Sequence, residues 1–194
     1  MAEQALMLVH LISAVAMAAP LYMLIVVGER ARFDRPLNYA TDRYLENIIG
    51  RNAPRCFVYQ ATILGTGLAL VRLESGSFAP LWREWEVAAK LGALVLLTLL
   101  LSVVHFAIQP RIERLLGELP AEGLPPEGLA PKVARLRVMR KRMSAVCLFL
   151  VLTAVIFGTR LVAGLDLPLA VGFVVGAALF AWRAYRTPVR AGWI

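Results

Sequence analysis

The sequence predicts an all-α integral membrane protein, a single domain over 1–194 built as a bundle of about five transmembrane helices, with the N-terminus outside and the C-terminus cytoplasmic. Three observations carry this. Hydrophobic residues make up 59% of the 194 and the mean hydropathy is +0.68, too apolar for a soluble domain of this size. Five stretches meet or approach the roughly 20 apolar residues that cross a bilayer core of about 30 Å. The basic residues also segregate strongly to one side. No stretch alternates polar and apolar with a period of two, so a barrel is not supported.

The first span is placed at 4–28. It has no Lys or Arg before its apolar run and is longer than a signal-peptide core, so it reads as a true span. The loop 29–55 contains "RPLNYATDRYLENIIGR". There Leu37, Tyr44, Leu45, Ile48 and Ile49 recur at helical spacing, which predicts a short amphipathic helix at the inner interface before Pro54 restarts the chain. The second span is 56–73 and the third 86–109. In the loop 110–142, "LPAEGLPPEGLAP" is rich in Pro and Gly and reads as a compact hinge or a flexible loop. "KVARLRVMRKRMSAV" then forms a basic helix leading directly into the fourth span, 143–164. The fifth span, 168–186, contains "GFVVG", whose Gly172 and Gly176 offer a small-residue face for close helix contact in a homo-oligomer or larger complex, or for internal packing. No internal repeat supports an inverted-repeat transporter.

Orientation follows from charge. Arg30, Arg32, Arg35, Arg43, Arg51 and Arg55 lie between spans one and two. Arg111, Arg114, Lys132, Arg135, Arg137, Arg140, Lys141 and Arg142 lie between three and four, and Arg183, Arg186 and Arg190 close the chain. These are seventeen of the 21 basic residues, and the positive-inside rule assigns them to the cytoplasm. Topology and anionic lipid headgroups account for the net charge of +8, making the lipid bilayer the partner and leaving no need for nucleic acid. The predicted location is the bacterial inner membrane.

Only two histidines are present, His10 and His105, and an ionisable group within the hydrocarbon needs an interior, wet or paired position. Lys90 and His105 are fifteen residues apart on the third span, about 22 Å along a helix, so they cannot share one small site. His10 and Lys90 both lie near the outer end, whereas His105 belongs near the cytoplasmic end, with interfacial hydrogen bonding as its expected role. Lys90 either faces the bundle or snorkels outward to the headgroups. Cys56 and Cys147 read as reduced packing residues. Glu74, Glu84, Glu86 and Asp166 populate the outer loops as a solvated surface. There is no CxxCH, phosphate loop, nucleophile elbow or metal-protease helix.

The opening "VHLISAVAMAAPLYMLIVVGERARF", the stretch "ATILGTGLALV" with its Thr66-Gly67 pair, and "WEVAAKLGALVLLTLLLSVVHFAIQPRIER" with lysine early and histidine late resemble the first three helices of a bacterial membrane superfamily. It includes copper-resistance protein D domains and HemJ-type protoporphyrinogen oxidases. The resemblance covers about the first 115 residues. In HemJ-type proteins the early histidine and the lysine form the functional pair associated with heme b. By resemblance, that role falls on His10 and Lys90, with Lys90 as the catalytic candidate.

Three functions fit the residues, and whether the protein is an enzyme stays open. The first is a redox protein in which His10 ligates heme b near the outer side, with Arg72, Arg83 or Arg160 neutralising propionates. No second histidine lies at the depth of His10, which leaves Lys90, Met7, a water or a second subunit as the other ligand. The second is copper handling, because Met7 stands one turn from His10 and thioether with imidazole suits Cu(I). The third is an accessory subunit that holds a larger membrane complex together without chemistry.

Overall fold

The computed structural model describes residues 2–28, 39–118 and 126–186. Among them there is no strand. The elements are α1 (Ala2–Gly28), α2 (Tyr39–Ser75), the single turn α3 (Pro80–Arg83), α4 (Trp85–Val103), a π-helical turn (Val104–Ile108), α5 (Gln109–Gly117), α6 (Leu129–Ala163) and α7 (Leu167–Arg186). Five segments are long and apolar enough to cross a membrane: Ala2–Ile25, Asp42–Ser75, Trp85–Gly117, Leu129–Ala163 and Leu167–Arg186.

Two expected boundaries change. Pro54 does not restart the chain, because α2 runs through it as one helix of 37 residues. Pro54 is exposed, so its ring and the one ladder bond it forfeits are accommodated on the outer side, where nothing packs. The third span likewise continues to Gly117 through the π turn. The basic segment does lead without a break into the fourth span, as α6. Of the Pro/Gly loop, residues 119–125 lie outside the described residues.

Helices α1, α2, α4 and α6 form a four-cornered bundle in which α1 and α4 each pack on α2 and α6, while α7 packs on α6 from outside. The inward faces obey helical spacing. On α1 the stripe is His10, Ser13, Met17, Leu21 and Leu24, on α4 it is Lys90, Leu94, Leu97 and Leu101, and on α6 it is Val133, Arg137, Arg140, Ser144, Cys147 and Val151. The longest is on α2, where Asp42, Glu46, Ile49, Ala53, Cys56, Gln60, Ile63 and Gly67 recur every three or four residues. Met17, Leu21, Leu97, Cys147 and Val151 close the middle of the bundle. Outward-facing side chains such as Val15, Val58, Phe106 and Leu179 are apolar and exposed. At about 1.5 Å per residue α2 is roughly 55 Å long, so its first turns, with α5 and the first turns of α6, extend the bundle at one end. Val104, Ile108, Ile112, Leu116, Leu129 and Val133 form a second apolar cluster in that extension.

Candidate functional site

Two polar regions face the interior, one at each end. At the end carrying the start of α1, the His10 ring lies against α2. Its Nδ1 is 2.8 Å from Thr66 Oγ1. The Thr66 hydroxyl donates back to the Thr62 carbonyl at 2.6 Å, so its one proton is committed and its oxygen accepts from His10. The proton is therefore assigned to Nδ1, and Nε2 carries the lone pair. Gly67 supplies the space: a Cβ there would stand 3.2 Å from His10 Cε1. The pair "TG" thus acts as acceptor and clearance for one imidazole.

His10 and Lys90 are each seven positions outward from a member of the central cluster, Met17 and Leu97, which puts both about 10 Å from it at similar height. Lys90 is half-buried on the inward stripe of α4. Met7, one turn before His10, is half-buried. Arg160 is committed elsewhere: its Nε donates to Glu86 Oε1 and its Nη1 to the Leu165 carbonyl at 3.2 Å. Glu86 accordingly leaves the expected solvated surface, with its side chain only 12% exposed. Arg72 and Arg83 are exposed. Deeper in the bundle, Thr98 Oγ1 donates to Gln60 Oε1 at 3.0 Å, tying α4 to α2.

The opposite end holds a buried ionic cluster that was not expected. Glu46 on α2 is its hub. Arg137 donates through Nε to Glu46 Oε1 at 3.0 Å and through Nη1 to Asp42 Oδ1 at 2.8 Å. Arg140 donates through Nη1 to Glu46 Oε2 and through Nη2 to Glu46 Oε1 at 3.1 Å, a two-pronged grip on one carboxylate. The amide of Gln109 accepts from Arg140 at 2.6 Å and donates to Glu46 at 3.1 Å and to Glu113 at 3.0 Å. Both arginines are fully buried and Glu46 is 2% exposed. Lipid headgroups therefore do not account for Arg137 and Arg140, whose partners are carboxylates of this chain. The signal lay in register, since the apolar stripe of α6 extended backwards through Cys147 and Ser144 lands on Arg140 and Arg137, and that of α2 lands on Glu46 and Asp42.

His105 sits in the π turn between these regions. Its ring meets Phe106 and Phe57 edge-on, with centroids 4.8 and 5.8 Å away, and its Nδ1 is buried without a hydrogen-bond partner. The expected interfacial hydrogen bond is not formed at that atom. Cys56 and Cys147 are buried free thiols, as packing residues would be. Gly172 and Gly176 have open space where a Cβ would stand, so they take no part in internal packing.

Heme b fits the donor chemistry at His10. A porphyrin brings four of its own ligands and asks the protein for one oriented imidazole, and Nε2 is oriented by the Nδ1 bond. A bare ion asks for more, and among the described residues no three His, Cys, Asp or Glu side chains converge to hold one. No protein-family model, curated protein or solved structure matches the chain.

Proposed function

We propose that this chain is a multi-pass inner-membrane protein with a redox role, binding heme b through Nε2 of His10 near the outer face. The N-terminus lies outside and the arginine-rich end in the cytoplasm. The orientation is supported by the charge bias. Cysteine probes in "ESGSFAP" are expected to react from outside and probes in "LPAEGLPPEGLAP" from the cytoplasm; the reverse pattern would overturn it.

One observation carries the heme reading: the imidazole of His10 is held through Nδ1 by Thr66 in a notch cleared by Gly67, with its other nitrogen left to ligate. When bound, the heme supplies one-electron chemistry. This chain's residues do the rest. Thr66 keeps the proton on Nδ1 and raises the ligand strength of Nε2. Lys90 places a positive charge at the same height, where it holds an anionic group or moves a proton at Nζ, and is the catalytic candidate. The propionate role assigned to Arg160 narrows, because Glu86 already occupies its Nε. The other ligand to a bound heme would come from Lys90, Met7, a water or a second subunit.

The test is a visible spectrum of the detergent-purified protein. A reduced-minus-oxidised b-type signal that is lost in His10→Ala and kept in His105→Ala is the expected outcome. Loss in His105→Ala alone would put the cofactor at the other end. Copper without heme would select the ligand pair Met7 and His10 instead. A colourless, metal-free preparation would select the accessory reading, which the open Gly172 and Gly176 face of α7 favours.

A further inference from the structure

The arginine-rich end contains two populations of arginine. Arg137 and Arg140 are buried on carboxylates. Arg142 and Arg186 are exposed, and neither forms an ion pair among the described residues. Each is held by an aromatic ring instead. The Arg142 guanidinium crosses from α6 to stand 5.1 Å from the centroid of Tyr185 on α7. That of Arg186 stands 4.0 Å from the centroid of Trp182, one turn earlier on α7. A guanidinium stacked on a ring is fixed in place while its charge is not neutralised and its N–H edge stays open. Residues 182, 185 and 186 share one side of α7, which gathers both cations at the end of the α6–α7 seam.

The rings are themselves informative. Trp182 is 55% and Tyr185 38% exposed, and half-exposed Trp and Tyr at the end of an apolar helix occupy the headgroup level of a bilayer. Along the same side of α7, Leu179, Val175 and Val171 are exposed and apolar. A ligand matching this surface has a phosphate at the guanidinium groups and hydrocarbon along the helix. It carries no cation of its own, because a choline group would meet the arginines with like charge. We propose that the α6–α7 seam binds an anionic phospholipid, its phosphate held by Arg142 and Arg186 and its acyl chains lying on the exposed face of α7.

This rests on the membrane reading, which is tested separately: the chain should stay in the pellet when membranes are washed with carbonate, and only its release would sink that reading. For the chain kept in the pellet and purified in detergent, bound lipid is measured by native mass spectrometry after titration with phosphatidylglycerol or phosphatidylcholine. The wild type should retain phosphatidylglycerol in preference. R142Q/R186Q removes two near-surface charges and should weaken retention about 30-fold. R142K/R186K keeps charge but loses the stacked fork, and should fall between. R111Q/R114Q, which removes two exposed charges from α5, should leave retention unchanged. Equal retention of both lipids, an equal loss in R111Q/R114Q, or displacement of phosphatidylglycerol by inorganic phosphate alone would overturn the proposal.

Discussion

The two ends of the bundle bury polar side chains in opposite ways. At the arginine end Glu46, Arg137, Arg140, Gln109 and Asp42 bind one another across α2, α5 and α6 and their charges close into pairs, while Arg137 Nη2 and Arg140 Nε are buried without a hydrogen bond. At the other end His10 is fixed on one side only: Nδ1 is held by Thr66 and the second nitrogen is left over. A closed network specifies how helices sit against each other and has little capacity for a ligand. A half-tethered imidazole contributes little to that specification and retains its chemistry.

Breaking the closed end should produce the largest effect. Glu46→Ala leaves two arginines buried without their shared carboxylate, and a loss of about 3–5 kcal/mol is expected, read as lower yield and a lower Tm in detergent. His10→Ala should leave that Tm nearly unchanged. Equal destabilisation by the two would erase the contrast between the ends.

Thr66→Val sharpens the comparison at the open end. It keeps the volume and removes the acceptor for Nδ1, so affinity for the bound group should fall about 10- to 100-fold while the fold survives. Normal titration of heme into this variant would show that Thr66 is a packing residue only.

Gly67→Ala is a smaller perturbation of the same imidazole. The added methyl comes within 3.2 Å of Cε1, and the ring must give way at a cost of about 1 kcal/mol. A shift in the absorption maximum with an unaltered Tm is the signature; an unshifted spectrum would place the cofactor away from this ring.

The weakest expected effect on folding is at Lys90. Both Lys90→Met and Lys90→Arg should insert and purify as the wild type does. Both should reduce activity, because methionine lacks the charge and arginine has a larger planar head for a half-buried position. Full activity in both would return Lys90 to a headgroup anchor.

Helix number and approximate span positions were legible in the sequence because hydrocarbon thickness is a strong and simple filter on length and composition. The equal heights of His10 and Lys90 were legible for the same reason, as rise per residue converts sequence into depth. Arg137 and Arg140 were not, because a run of basic residues beside a span satisfies the positive-inside rule whether it faces lipid or carboxylate. Deciding between those needs the phase of the helix and a partner on α2 some 90 positions away. The roles of Thr66 and Gly67 depended likewise on which face of α2 meets α1, a tertiary fact with no local signature.

The π turn at Val104–Ile108 has a consequence for the lengths the chain tolerates. Nineteen residues separate Leu97 from Leu116, both buried on the same side. At 100° per residue a continuous α-helix would overshoot five turns by about 100° and swing Gln109 off Glu46. The π turn, with its bond from the Gln109 N–H to the Val104 carbonyl, spends more residues per turn and takes back most of that drift. It works as an expansion joint that has absorbed one residue. Deleting Ala107 should let the joint close into ordinary helix with Gln109 still on its partner. Deleting Leu99, two turns earlier, offers no such slack at the point of loss and turns the part of α4 before it by about 100° relative to Leu101.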